Sequence, residues 1–350
     1  MKENKKTILL LSAYRSNSHA AWADWLVNTF NEFEWIKLEL PGRHFRWRIR
    51  GNPLSWLNKI PEKNPDLILA TSMVDLATLK GLHSHLANIP CIYYFHENQF
   101  AYPTRSQQHN SVDPQMVQLY GALAADKLLF NSNYNRQSFL SGVDRLLNLL
   151  PDEVPKNLNS LLKNKSAILP VAISAIEQKT IKDPKLILWN HRWEYDKTPQ
   201  VFADALHKLN KIDTDFKLAL LGDRPIKKPA SLLQIEKEFN DRIIINCKTS
   251  KEDYLRYLSL SSIVVSTAIH EFQGLSMLEA VSAGAAPVVP DDLCYKEQYI
   301  KSFRYKTGDS DALSKKLYNY LNTKPDIPDV SKYYVENLKG DWYKVLTSQF

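Results

Sequence analysis

The segment HEFQGLSMLEA, residues 270–280, holds Glu271 and Glu279 with seven residues between them and Gly274 where a helix could begin. A glycine at a helix opening lets an anion approach unpaired backbone amides, and the helix dipole favours phosphate at that end. Leu275, Met277, Leu278 and Val281 supply apolar contacts behind it. Two carboxylates flanking a phosphate could grip sugar hydroxyls on either side, although an ordinary surface helix with two acids reads the same. Upstream, Arg192 and Lys197 follow the apolar run KLILWN. A guanidinium fork and an ammonium at such a strand end could converge on one diphosphate. They would carry the negative charge that grows on a leaving diphosphate. Taken alone, they are equally a solvated pair.

A third polar cluster is His96, Glu97, Asn98 and Gln99 in CIYYFHENQFAYP. Buried polar groups need partners, and a ligand is one kind. His96 could bind a sugar hydroxyl or a phosphate oxygen, or serve the core. In AYRSNSHAAW, Ser16, Ser18 and His19 precede a helical pattern, and this loop lacks the glycine that close backbone approach favours. LLGDRP and FNSNYN are further strand-end loops.

Those segments share one position in the pattern. Short β-rich runs alternate with longer helical ones: TILLLSA, DLILATS, CIYYFHE and DKLLFNS in the first half, then KLILWN, FKLALLG, RIIINC, SIVVST and AAPVVP. Such alternation predicts βαβ units and parallel sheets, and ligands then collect beyond the carboxyl ends of the strands. The pattern loosens from residue 141 through LLPDEVPKNLNSLLKNKS, and the stretch around Pro170 followed by IEQKTIKDP reads as a linker. TKPDIPDVS breaks the helical tail, and ENLKGDWYKVLTSQF reads as a helix crossing back to the first half. We expect an α/β chain of two Rossmann-like domains, residues 1–172 with 335–350 and residues 173–334.

With 350 residues, 45 Lys and Arg against 38 Asp and Glu, and a net charge of +7, the chain favours anionic partners without proving one. Cys91, Cys247 and Cys294 are too few and too scattered for a disulfide framework or a zinc signature. The start, MKENKKTILLLSAYRSN, reads as a first buried strand rather than a signal peptide. No segment approaches the roughly 20 apolar residues of a spanning helix. We expect a cytoplasmic protein without stable membrane insertion.

One stretch fits none of this. PGRHFRWRIRGNP, residues 41–53, packs Arg43, Arg46, Arg48 and Arg50 around Phe45 and Trp47, with His44 beside them. Pro41, Gly42, Gly51 and Pro53 bracket a segment that looks too short for a stable surface helix. A solvated strand or hairpin is the plain reading. Arginines among aromatics also suit RNA, because they pair with phosphates while rings stack on unpaired bases.

Together these motifs mark a resemblance. HEFQGLSMLEA and HRWEYDK resemble the E-x7-E and Arg-x4-Lys signatures of retaining GT-B glycosyltransferases of the family 4 type. LPGRHFRWRIR, YFHENQFAYP and FNSNYNRQSFL are similar to the tRNA-queuosine α-mannosyltransferase family, over nearly the whole chain. Where that family's pattern has Gly-Gly before the early Ser-His, this chain has Arg15, Ser16 and Asn17. The resemblance implies two domains facing a central cleft and mannose transfer from GDP-mannose to the cyclopentene-diol of queuosine in a tRNA anticodon, with retention. It requires no other cofactor and no metal. It implies that Arg192 and Lys197 hold the donor diphosphate, Glu279 the ribose and Glu271 the hexose. Gly274, Leu275 and Ser276 would offer amides to phosphate, with Ser18 and His19 on the donor side. His96 would stand near the hexose and acceptor. Arg46, Trp47, Arg48, Arg50, Glu97 and Asn98 are the residues expected to meet the acceptor. The same donor machinery would also suit a lipid or polysaccharide precursor, a sugar-nucleotide epimerase, or an RNA-binding protein that kept only the fold.

Overall fold

The computed structural model describes residues 5–102, 111–178 and 180–350. Pro103, at the end of YFHENQFAYP, and Lys179, within IEQKTIKDP, lie outside them. Two compact units are present, one of residues 1–171 with 338–350, the other of residues 172–337.

The first unit runs β1 (Thr7–Arg15), α1 (Asn17–Thr29), β2 (Glu34–Pro41), α2 (Phe45–Trp56), β3 (Leu67–Thr71), α3 (Leu76–Leu82), β4 (Cys91–Phe95), α4 (Asp113–Ala124), β5 (Lys127–Phe130), α5 (Asn133–Leu147), α6 (Leu158–Asn164) and β6 (Ser166–Ile168). Its six parallel strands lie in the order β2-β1-β3-β4-β5-β6. β3 and β4 are buried throughout, which explains their unbroken apolar runs LILAT and CIYYF. The edge strand β2 alternates charged and apolar residues and is mostly half-exposed, so it carries no such run. Residues 141–168 are more ordered than the loosened pattern suggests. α5 continues to Leu147, α6 follows, and β6 adds the sixth strand.

The second unit runs β7 (Asp183–Trp189), α7 (Pro199–Asn210), β8 (Lys217–Leu220), α8 (Ala230–Phe239), β9 (Ile243–Asn246), α9 (Lys251–Leu260), β10 (Ser261–Val265), α10 (Leu275–Ser282), β11 (Ala286–Pro290), α11 (Tyr295–Gln298), β12 (Arg304–Tyr305) and α12 (Ser310–Asn322). Its sheet order is β12-β11-β10-β7-β8-β9, again all parallel. From β7 the chain moves one way to β8; from β10 it moves the other way to β11. The topological switch point therefore lies between the carboxyl ends of β7 and β10, where diverging connections leave a crevice. Arg192 and Lys197 follow β7, and Glu271 and Gly274 follow β10.

A last helix, α13 (Val335–Thr347), belongs to the first unit from Leu338 onward. Trp342 is fully buried there. Its ring lies 5.1 Å from Tyr94 of β4 and 5.7 Å from Trp22 of α1, and its indole donates to the Pro170 carbonyl at 3.1 Å. Among the described residues no helix is long and apolar enough to cross a membrane.

Truncating Trp342 removes a large ring from a closed aromatic cluster. Trp342→Ala should cost about 3–5 kcal/mol, read as an earlier denaturant midpoint of the first unit. An unchanged midpoint would mean that α13 only rests on the surface.

Candidate functional site

α10 opens at Gly274, whose φ of 63° lies in the left-handed region. A side chain there would be strained, and its Cβ would stand 3.1 Å from the Tyr295 ring and 3.6 Å from Glu271 Cγ. Glycine thus ends the β10 connection tightly and leaves the helix end open. The amides of Met277 and Leu278 turn back onto the Gly274 carbonyl, while those of Leu275 and Ser276 precede the first intrahelical bond.

Beside this helix end lies Lys197, with 7% of its side chain exposed. Its ammonium donates to the His270 carbonyl at 2.7 Å and to Glu271 at 3.1 Å, and pairs with Asp196 at 3.2 Å. Burial works against the charge on Lys197, but Glu271 and Asp196 outweigh it and hold it protonated. Burial would likewise raise Glu271, yet the Lys197 charge prevails and brings its carboxyl down to about 2. Glu271 is thus a carboxylate across the physiological range. Glu279, on the next turn of α10, accepts a 2.7 Å hydrogen bond from Tyr254 of α9. Burial raises its carboxyl above the usual range, with Tyr254 opposing.

Arg192 differs from Lys197. Its side chain is 53% exposed and pairs with Glu194 at 3.2 Å, so it stands at the surface of the connection while Lys197 lies inside it. His191, just before Arg192, is buried and 3.4 Å by Nδ1 from the Ser276 hydroxyl. Burial, assisted by Lys197, pushes its imidazole down to about 4. Sequence reasoning passed over His191, Asp196 and Tyr254. His191 directly precedes Arg192 and Asp196 lies between Arg192 and Lys197, so both were within reach; nothing local marks Tyr254.

In the first unit the structure brings His19 and His96 together. Their rings stack at 4.1 Å, with Trp22 edge-on to His96 at 4.6 Å and Tyr94 at 4.7 Å. Burial holds His19 down to about 4 and His96 well below its ordinary range. His19 Nδ1 lies 2.8 Å from the Tyr14 carbonyl, and such a contact requires Nδ1 to donate. The loop expected before the helix is short, because Ser16 is already the N-cap of α1 and Ser18 an exposed first-turn residue. His19 is held by Tyr14 through Nδ1 and by its stack on His96.

Asn98 requires a correction. It is fully buried, its amide donates to Asn135 and Ser138, and its carbonyl accepts from the Phe100 and Ala101 amides. With both ends engaged it is a structural residue that supports the turn after β4, not an acceptor contact. Asn131 and Asn135 complete the support by donating to the His96 and Phe95 carbonyls at 2.8 and 2.9 Å. Glu97 is half-buried, its carboxylate 3.4 Å from the Gln99 amide.

Beyond Pro41, the last residue of β2, PGRHFRWRIRGNP forms neither strand nor hairpin. Its residues 45–53 open the twelve-residue helix α2 despite Pro53 inside it. Proline removes an amide that Ile49 O would accept. The buried Asn52 side chain replaces it, donating to Arg48 O at 2.8 Å, Ile49 O at 3.2 Å and Met73 O at 3.1 Å. Arg46, Trp47 and Arg50 are exposed, and Arg48 is half-buried with Nε donating to the Pro41 carbonyl at 3.2 Å. Arg50 is anchored at 2.6 Å to the buried Asp75, which also caps α3. Trp47 lies over Gly51, where a Cβ would stand 2.6 Å from its ring, and stays 48% exposed. Phe45 turns inward, edge-on to Tyr14 at 6.4 Å.

A switch-point crevice with a buried ammonium, an ionised glutamate and an open helix end defines a glycosyltransferase of the GT-B class. Solved structures share the fold: Anabaena HepE in complex with UDP and glucose (TM-score 0.70, 14% identity, 99% of this chain and 100% of that one). Another is a sucrose-phosphate synthase from Thermosynechococcus elongatus (TM-score 0.68, 11% identity, 99% and 100%). Residues 173–337 match the model of glycosyl transferases group 1, and residues 7–173 that of the tRNA-queuosine alpha-mannosyltransferase N-terminal region. A tRNA-queuosine alpha-mannosyltransferase of Drosophila melanogaster is 34% identical over 330 residues, spanning 90% of this chain and 87% of that protein. The chain belongs to the tRNA-queuosine alpha-mannosyltransferase family.

The buried imidazoles set an acid limit. His19 and His191 are neutral in the fold to about 4 but take protons near 6.5 once exposed. Their contribution to stability is therefore complete above about pH 6.5 and lost as pH falls through about 4, each on the order of 3 kcal/mol. Unfolding free energy measured between pH 7 and 4 should fall with acidification, and His19→Gln should flatten the slope. A pH-independent profile would contradict the burial of these rings.

Proposed function

We propose that this chain transfers mannose from GDP-mannose to the cyclopentene-diol of queuosine in a tRNA anticodon, with retention. The observation that carries this reading is the Lys197 ammonium, buried between Glu271 and Asp196 beside the open end of α10 at the switch point. Lys197, Arg192 and the Leu275 and Ser276 amides are assigned to the donor diphosphate. They stabilise the charge that gathers there as the bond from sugar C1 to phosphate oxygen breaks. Glu271, kept ionised, accepts hydrogen bonds from hexose hydroxyls, and Glu279 from the ribose. We assign His96 to the hexose and the acceptor. In our reading the acceptor oxygen attacks C1 on the face the diphosphate leaves, and its proton passes to a phosphate oxygen. No metal and no further cofactor enters this scheme. The charge balance of the chain and the exposed Arg46, Trp47 and Arg50 on α2 support an RNA acceptor, and a tRNA acceptor implies the cytoplasm. The family relation to the Drosophila protein supports queuosine as the site.

The central test offers labelled GDP-mannose with tRNA that contains or lacks queuosine. Transfer should occur only to the former; equal labelling of both, or of neither, would overturn the reading. Lys197→Ala should reduce turnover by about 10²–10³-fold with tRNA binding retained. For α2, Arg46→Ala with Arg48→Ala should weaken tRNA binding and lower the salt slope of log K by about two. Unchanged affinity and slope would make this helix a structural element only.

A further inference from the structure

We propose that His191 is a hydrogen-bond donor to the diphosphate of the nucleotide sugar; the proposal rests on the donor reading above. His191 follows the carboxyl end of β7 at the switch point and is 3% exposed. Its backbone serves the fold, since its carbonyl accepts from the Trp189 indole at 3.2 Å. Its Nε2 is buried without a hydrogen-bond partner. An unmade buried hydrogen bond is costly, and at the switch point a bound anion is the partner that would satisfy this nitrogen. Residues 190 and 191 both dock on the first turn of α10. Asn190 donates to the Ser276 carbonyl at 2.8 Å, and His191 Nδ1 meets the Ser276 hydroxyl at 3.4 Å. The imidazole is thus fixed at the helix end whose amides precede the first intrahelical bond, within the field of Lys197, Glu271, Asp196 and Arg192.

When the Ser276 hydroxyl donates to Nδ1, the proton of the neutral ring resides on Nε2. Nε2–H then meets an anion without adding a third positive charge beside Lys197. Its role is to orient the diphosphate, leaving charge stabilisation to the ammonium.

Calorimetric titration of the full chain with GDP and with guanosine separates this contact from a packing role. His191→Ala should weaken GDP about tenfold or more and leave guanosine unchanged. His191→Gln, whose amide reaches the Nε2 position, should recover most of the loss. Equal GDP affinity in wild type and His191→Ala, or parallel loss of GDP and guanosine, would overturn the proposal. An independent readout in the wild-type protein is the ¹⁵N shift of His191 Nε2. It should move with GDP and not with guanosine, and absence of movement with bound GDP would likewise overturn the contact. If the wild type binds UDP in place of GDP, the guanine assignment fails while the same comparison with UDP and uridine still decides the role of His191. Binding of no nucleoside diphosphate would overturn both.

Discussion

A single buried ammonium organises the second unit. Removing a charge from water costs several kcal/mol, and only close opposite charges offset it. Lys197 therefore draws Asp196 and Glu271 inward, and in doing so ties the connection after β7 to the connection after β10. The tie is extended by backbone and hydroxyl bonds. Ile269 N donates to Asp196 O at 2.9 Å, Thr267 Oγ1 donates to Lys197 O at 2.6 Å, and Thr198 Oγ1 donates to Thr267 O. Thr198 accepts a left-handed φ of 37° to make this possible, a strain that only a heavily determined site maintains. Two loops that a switch point would otherwise let diverge behave as one piece.

The first unit solves a different problem, holding a polar turn firmly without charge. Its means are neutral. Stacked imidazoles sit in an aromatic cage, and three asparagines satisfy the carbonyls and amides of the turn after β4. Asn52 acts in the same way for α2, since one primary amide donates to three carbonyls and its oxygen accepts from the Asp75 amide at 3.1 Å. The side-chain amide thus lends a proline-containing helix the hydrogen bond that its backbone lacks.

Parallel strands buried on both faces show in the sequence as unbroken apolar runs, which is why the βα order and the strand ends bearing Lys197, Glu271 and His96 were legible. β2 was not, because a half-exposed edge strand interrupted by Lys37 and Glu39 has no unbroken apolar run; β6 and β12 are too short to form a pattern. α2 was misread because glycine and proline were weighed as local breakers. Gly51 instead makes room for Trp47, and the helix passes Pro53 because Asn52 reaches Met73, 21 residues away. Asn98 looked like a ligand for the converse reason: its partner Asn135 is 37 residues downstream, and no local pattern reveals that its bonding capacity is exhausted.

The aromatic cluster closed by Trp342 has a kinetic side. Its indole bonds to Pro170 across 172 positions of chain, with the whole second unit between them. The second unit is contiguous, so during synthesis it emerges completely before the segment that finishes the first. Until then Trp22, Tyr94 and the sheet face beneath them lack their cover, and closing so long a loop delays the contact further. The earlier-made half of the molecule is thus the later one to reach its native core, and its exposed aromatic surface is the natural place for chaperones or misassembly to act.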